Sequence, residues 1–219
     1  MLNFVRCLVT AGPTYEPLDA VRRLTNLSTG RLGSELAEFL AGRGHQVRLL
    51  LGEQATFRLQ GHAYDIQTFT TRADLREQLR ARAGESVDAV FHAAAVSDFS
   101  FGKIWVRSAQ GQLTEIRSGK LSTRQGTLLA ELTPTPKIIT ELRRWFPGAR
   151  LVGWKYEVDG SRDAVIHQAK TQLVECTTDA SVANGPAYGA GFGLVRAESC
   201  IHLPDAAGLF EALDRLLRE

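Results

Sequence analysis

Short apolar runs that stop abruptly in small or polar residues alternate along this chain with segments of helical period, and that alternation restricts the fold most. The runs are Phe4–Thr10, Gln46–Leu51, Tyr64–Phe69, Val87–His92, Leu151–Trp154 and Ala180–Asn184. Between them, Leu32, Leu36, Ala37, Phe39 and Leu40 mark a helix over Arg31–Arg43 that stops at Gly44, and Leu75 and Leu79 mark another over Thr71–Ala83. Further helices are expected over Pro136–Trp145, Arg162–Val174 and Ala206–Leu217. Fully apolar strands separated by amphipathic helices predict a parallel sheet covered on both faces. The middle of the chain breaks the rhythm. Lys103–Arg107 and Gln112–Arg117 flank Ala109-Gln110-Gly111 as a β-hairpin, Leu128–Leu132 is a further strand, and Phe192–Arg196 with Ser199–Leu203 make a closing hairpin. With no repeat, low-complexity tract or linker, residues 1–219 are expected to form one domain, with a hairpin and flap insertion over 101–132.

Composition narrows the function. Lys and Arg total 26 against 24 Asp and Glu, a net charge of +2 that does not suit a protein built to grip nucleic acid. The longest apolar stretches, such as Ala89–Val96, fall far short of the roughly 20 residues of a membrane helix. The N-terminus lacks the layout of a signal peptide. The three cysteines, Cys7, Cys176 and Cys200, are odd in number and form no C-x-x-C pair, which argues against a disulfide framework or zinc site and for a cytoplasmic location.

Ligands of open parallel sheets sit beyond the carboxyl ends of the strands, and three polar clusters fall there. In Thr10–Gly33, Gly12 and Pro13 break the first strand, and Ser28, Thr29 and Gly30 precede the first long helix. Ser28 or Thr29 can serve either as a helix cap or as a hydroxyl donor to a phosphate held at the helix N-terminus. In His92–Phe99, small residues allow close approach to the backbone, and Asp98 is either a turn-former or a site residue. In Gly153–Glu157, Lys155 and Glu157 are either a surface ion pair or a grip on a nucleotide. A dinucleotide-dependent reductase is disfavoured. No G-x-G-x-x-G is present, since no glycine follows Gly12 until Gly30. The positions four after each tyrosine are Asp19, Thr68, Gly160 and Phe192, never lysine.

The segment T-A-G-P-T-Y-E-P-L-D-A-V-R-R-L-T-N-L-S-T-G-R-L-G at 10–33 resembles the opening signature of the phosphopantothenoylcysteine synthetase family. A-A-A-V-S-D-F at 93–99, K-L-S-T at 120–123, T-P-K-I-I at 135–139, V-G-W-K-Y-E-V-D at 152–159 and V-A-N at 182–184 follow in the family's order. The resemblance implies a Rossmann-like fold and a homodimer. It also implies an Mg²⁺-dependent ligase that activates the carboxylate of 4′-phosphopantothenate by nucleotidyl transfer from ATP or CTP, after which the amine of L-cysteine attacks the acyl nucleotide. Because the chain opens on the synthetase signature, neither decarboxylase nor flavin is implied.

By the same resemblance Asn26 contacts the acyl-phosphate carbonyl and Arg22 lies nearby. Ala94 and Ala95 offer backbone groups to the pantothenate arm, and Asn184 also lies at the substrate. Gly12, Ser28, Gly30, Pro136 and Lys137 belong to the nucleotide side. Asp98 stands near the nucleotide and its metal, Lys120 is the flap lysine over the phosphates, and Trp154 and Lys155 flank the base. The direct metal ligands are unknown. Two departures are visible. The flap reads Lys120-Leu121-Ser122-Thr123 rather than K-x-K-K, and the strand end reads Gly153-Trp154-Lys155-Tyr156-Glu157 rather than G-F-A-A-E. Both resemble stand-alone eukaryotic-type enzymes that favour ATP. Lys103 is the flap lysine in an alternative register, and a nucleotide-binding module without catalysis is the alternative function.

Overall fold

The computed structural model describes residues 4–57, 64–117, 119–122, 124 and 126–219. Its main sheet carries β1 (Arg6–Ala11), β4 (Gln46–Gly52), β5 (Asp65–Phe69), β6 (Ala89–His92), β10 (Arg150–Tyr156) and β11 (Ala180–Asn184), all parallel. Antiparallel β12 (Phe192–Val195) and β13 (Cys200–Leu203) extend one edge. The spatial order is β13-β12-β11-β10-β6-β1-β4-β5. The chain thus builds outward from β1 through β4 to β5, returns to lie on the other side of β1 as β6, and builds outward again. This confirms the Rossmann-like α/β reading, and β1 and β6 diverge at the topological switch point where such sheets bind ligands.

Helices cover both faces. α1 (Arg31–Gly42) and α5 (Ala206–Leu216) pack Leu36, Leu40, Leu209 and Leu213 against Val9, Leu49, Phe91, Val152 and Val182. The opposite face takes α2 (Arg72–Ala81), α3 (Leu142–Trp145) and α4 (Arg162–Cys176), burying Leu75, Leu79, Leu142, Val165 and Ala169 with Leu8, Val90, Leu151 and Ala183. Alternation along each strand divides its side chains between these two cores.

A helix over Pro136–Trp145 is not what forms. Lys137 is extended, Ile138–Glu141 is a 3₁₀ turn, and only the four residues of α3 are α-helical. The Thr140 hydroxyl donates to the Lys137 carbonyl at 2.7 Å, a local bond that competes with the helical pattern. The expected hairpin is present as β7 (Phe99–Arg107) and β8 (Leu113–Ile116), and β9 (Thr127–Pro134) joins β7 to make a three-stranded sheet. A smaller hairpin, β2 (Tyr15–Pro17) with β3 (Arg23–Thr25), interrupts the passage from β1 to α1. No described helix is long and apolar enough to cross a membrane.

Candidate active site

A cavity of about 790 Å³ opens at the switch point, beyond the carboxyl ends of β1, β6, β10 and β11. Gly12, Asn26, Ser28, Gly30, Ala94, Ala95, Asp98, Pro136, Lys137, Trp154, Lys155 and Asn184 line it, so most residues expected at the site converge there.

Its first wall is the start of α1. Thr71, Ser161 and Asp205 cap α2, α4 and α5 with side-chain oxygens, whereas α1 starts on Gly30 with no side-chain cap and no acidic residue in its first turn. Among the described residues the Ser28 and Thr29 side-chain oxygens accept only from the near N–H groups of Gly30 and Arg31, at 3.4 and 3.3 Å. Neither plays the capping role, and the helix presents its positive end to the cavity.

The glycine fingerprint is present in interrupted form. Gly12 turns the chain off β1 with φ of +81°, and a Cβ on Gly33 would lie 2.6 Å from the Ala11 Cβ, so α1 packs on β1 only through a glycine. Gly12, Gly30 and Gly33 therefore fill the three positions of G-x-G-x-x-G, with the β2–β3 hairpin inserted after the first. Linear spacing hid this, because the pattern assumes an uninterrupted turn.

The second wall is the loop after β6. Ala95 donates to the Gly12 carbonyl at 2.9 Å, and its own carbonyl accepts from Thr14 N–H at 3.1 Å and from Asn26 Nδ2 at 2.9 Å. The backbone groups of Ala95 thus orient Asn26 instead of facing a ligand. Buried Thr14 accepts from Ser97 N–H at 2.8 Å, and Thr135 donates to the Ser97 carbonyl at 2.9 Å, which ties the loop to both neighbouring segments. The Asp98 carboxylate projects at the exposed rim and takes no hydrogen bond or ion pair among the described residues.

Two residues that the sequence did not single out lie beneath this loop. Thr10 Oγ1 and His92 Nδ1 are 2.9 Å apart and buried, and Ala94 N–H donates to the same Thr10 oxygen at 3.2 Å. Burial pushes the His92 imidazole down to about 4, so it is neutral at physiological pH. A polar pair at facing strand ends is the signal, visible only once β1 and β6 are known to be neighbours.

At the far wall, Trp154 and Lys155 leave β10 on opposite faces, and both line the cavity. Lys155 pairs with Glu157 at 2.7 Å, so that pair exists as an ion pair. Trp154 Nε1 and Asn184 Oδ1 are sealed from water without a partner among the described residues.

Arg22 and Lys120 do not line the cavity. The turn that carries Arg22 is tied to the segment that carries Lys120: Arg22 donates to the Leu121 carbonyl at 2.7 Å, Leu121 N–H to Asp19 Oδ2 at 3.1 Å, and Ala20 N–H to the Gly119 carbonyl at 2.9 Å. Ser122 is described, whereas Thr123 of the same motif lies outside the described residues. Lys103 stands on β7, 3.4 Å from Glu115.

Residues 2–215 match the DNA/pantothenate metabolism flavoprotein C-terminal domain family. The chain belongs to this family. It is 34% identical over 180 residues to the coenzyme A biosynthesis bifunctional protein CoaBC of Thermococcus kodakarensis, covering 82% of this chain and 41% of that protein. The chain thus spans less than half the length of that curated relative. The DNA/pantothenate metabolism flavoprotein from Streptococcus pneumoniae superposes with a TM-score of 0.86 over 98% of both chains, at 26% identity. A Cab2 mutant solved in complex with phosphopantothenate-cysteine shares the fold, with a TM-score of 0.74 and 20% identity over 97% of this chain and 85% of that one.

Proposed function

We propose that this cleft joins 4′-phosphopantothenate to L-cysteine through an acyl-nucleotide intermediate. The observation that carries this reading is the cavity at the β1/β6 switch point, which gathers the uncapped start of α1, the oriented Asn26 amide and Lys137 around one space. A carboxylate is a poor electrophile, and amide formation from it requires a leaving group that a nucleoside triphosphate supplies. The start of α1 and Lys137 hold phosphate charge. With one amide hydrogen committed to Ala95, Asn26 retains a second N–H for the reacting acyl oxygen, and a neutral amide does not compete as a nucleophile. The family match and the coenzyme A role in the name of the Thermococcus relative support the same assignment.

Among the described residues no group of three or more His, Cys, Asp or Glu could hold a metal. An Mg²⁺ ion bound chiefly through substrate phosphates needs only one or two carboxylates, and unpartnered Asp98 provides one. When bound, the ion neutralises phosphate charge.

Pyrophosphate release that requires both phosphopantothenate and a nucleotide, with the cysteine amide as final product, tests the reading. A binding module would bind without turnover, and a reductase would give a nicotinamide signal. The preferred nucleotide is ATP. Lys155 and Tyr156 stand at the strand end where CTP-using relatives carry small residues, the pattern of the ATP-favouring eukaryotic-type enzymes that the sequence resembles. The kcat/KM for ATP should exceed that for CTP on the same preparation. CTP equal or better would reject this preference and leave the ligase reading standing.

A further inference from the structure

We infer that His92 is a fixed, neutral hydrogen-bond donor to the carboxyl oxygen of the acid substrate, held in its donating form by Thr10. The acid substrate is taken from the ligase reading above; the donor itself rests on the hydrogen bonds of Thr10 and His92.

Thr10 is fully buried, and its oxygen already accepts from Ala94 N–H at 3.2 Å. The hydroxyl hydrogen needs an acceptor, and the only one among the described residues is His92 Nδ1, at 2.9 Å. Nδ1 therefore accepts, and the ring proton of the neutral imidazole resides on Nε2. Nε2 occupies the ring edge away from Thr10 on a residue that lines the cavity, and it has no partner among the described residues. The result is an N–H aimed from a braced ring into the cleft. Burial keeps the imidazole uncharged, so this group donates a hydrogen bond and does not exchange protons with substrate near neutral pH.

Position selects the acceptor. His92 pairs in register with Thr10 on one side and Gly153 on the other, at the middle of the switch point. The start of α1 lies over one face of the sheet. Lys155 projects from the opposite face, where Lys137 also acts on the Cys176 thiol. The start of α1 on one flank and Lys137 on the other attract phosphate, Lys155 being paired with Glu157. By strand alternation His92 projects with Thr10 from the same face as Lys155, while Asn26, the other uncharged donor of the cleft, is held at the Ala95 carbonyl; the junction of carboxylate and nucleotide falls between these two donors. A neutral donor suits an oxygen whose charge changes during reaction, and it adds no counter-charge that would hold the carboxylate in its unreactive form.

The test combines spectroscopy with kinetics. Long-range ¹H–¹⁵N correlation spectra should show His92 as the Nε2–H tautomer, unprotonated down to about pH 5, and its signals should shift on addition of 4′-phosphopantothenate. His92→Asn retains a partner for Thr10 but loses the N–H directed into the cleft. It should lower kcat/KM for phosphopantothenate by about 10²-fold with KM for nucleotide unchanged. His92→Gln, which reaches to the Nε2 position, should recover most of that loss. Thr10→Val should lower activity and Thr10→Ser restore it, with no new limb in the pH profile. The inference is overturned by an Nδ1–H tautomer, by an active enzyme indifferent to His92→Asn, or by an effect confined to nucleotide KM. Absence of ligase turnover in wild type with the Nε2–H tautomer intact would instead reject the function and, with it, the assigned acceptor.

Discussion

Asn26 shows how far a single position can be understood from its neighbours. Its side chain is exposed, yet one amide hydrogen is spent on the Ala95 carbonyl, which also receives the Thr14 N–H. The amide is thereby aimed before substrate arrives, at little entropic cost. Asn26→Asp removes the donor and sets a negative charge where the proposed acyl-nucleotide intermediate would lie. We expect a kcat lower by about 10²–10³-fold with an unchanged circular dichroism spectrum; activity within threefold of wild type would refute this role. Gly33 makes the complementary case for packing. A methyl group there meets the Ala11 Cβ at 2.6 Å and the Thr10 carbonyl at 3.2 Å, so Gly33→Ala must push α1 away from β1. A loss of about 1–3 kcal/mol in urea unfolding is expected, with a rise in nucleotide KM because the start of α1 moves. Both residues belong to a segment whose importance was legible in its composition. The glycine roles were not, because the hairpin between Gly12 and Gly30 spreads the pattern along the chain, and only the fold restores it.

Among the elements, those that bury a complete face were the ones legible in sequence. Each parallel strand of the main sheet falls within a residue or two of its apolar run; α1, α2 and α5 follow an amphipathic period, and α4 forms over its expected segment without one. The exceptions have local causes. The Pro136–Trp145 segment carries helical apolar spacing, but the Thr140 hydroxyl takes the Lys137 carbonyl and the chain tightens to a 3₁₀ turn, which leaves Pro136 and Lys137 extended at the cleft. β2 and β3 have three residues each and no buried position, so no hydrophobic pattern announces them. The β7–β8–β9 sheet presents Phe99, Leu113 and Leu132 at 43, 52 and 47% exposure, an apolar content for which its own packing gives no use. That observation supports a homodimer in which this sheet packs on a second copy or over its active site. The native chain should sediment at about twice 24.0 kDa. Removing residues 103–117 should weaken association, activity or both, and an unchanged dimer of unchanged activity would count against either placement.

For the molecule as a whole, the two ends of the parallel sheet do different work. The carboxyl ends open into the cleft, and the strand order that makes this opening was beyond the sequence, since no residue pattern records that β6 returns beside β1. The amino end of the sheet is closed by polar ties that hold the termini. His45 Nδ1 accepts from Val5 N–H at 3.2 Å, its Nε2 meets buried Asp214 at 2.7 Å, and Arg218 pairs with the other Asp214 oxygen at 2.8 Å. Burial alone would push the Asp214 carboxyl up, but the bonds and charges of His45 and Arg218 outweigh it and hold the group below its ordinary value. The folded pKa is thus lower than the unfolded one of about 3.9. The contribution is therefore complete above that unfolded value and disappears as pH falls through the folded one. At pH 7, Asp214→Asn should cost on the order of 2 kcal/mol, because a charge-assisted pair becomes a neutral contact. As pH falls through the folded value and the carboxyl takes up its proton, the two urea midpoints should approach one another. A gap that persists at low pH would mean that shape rather than charge holds the termini in place.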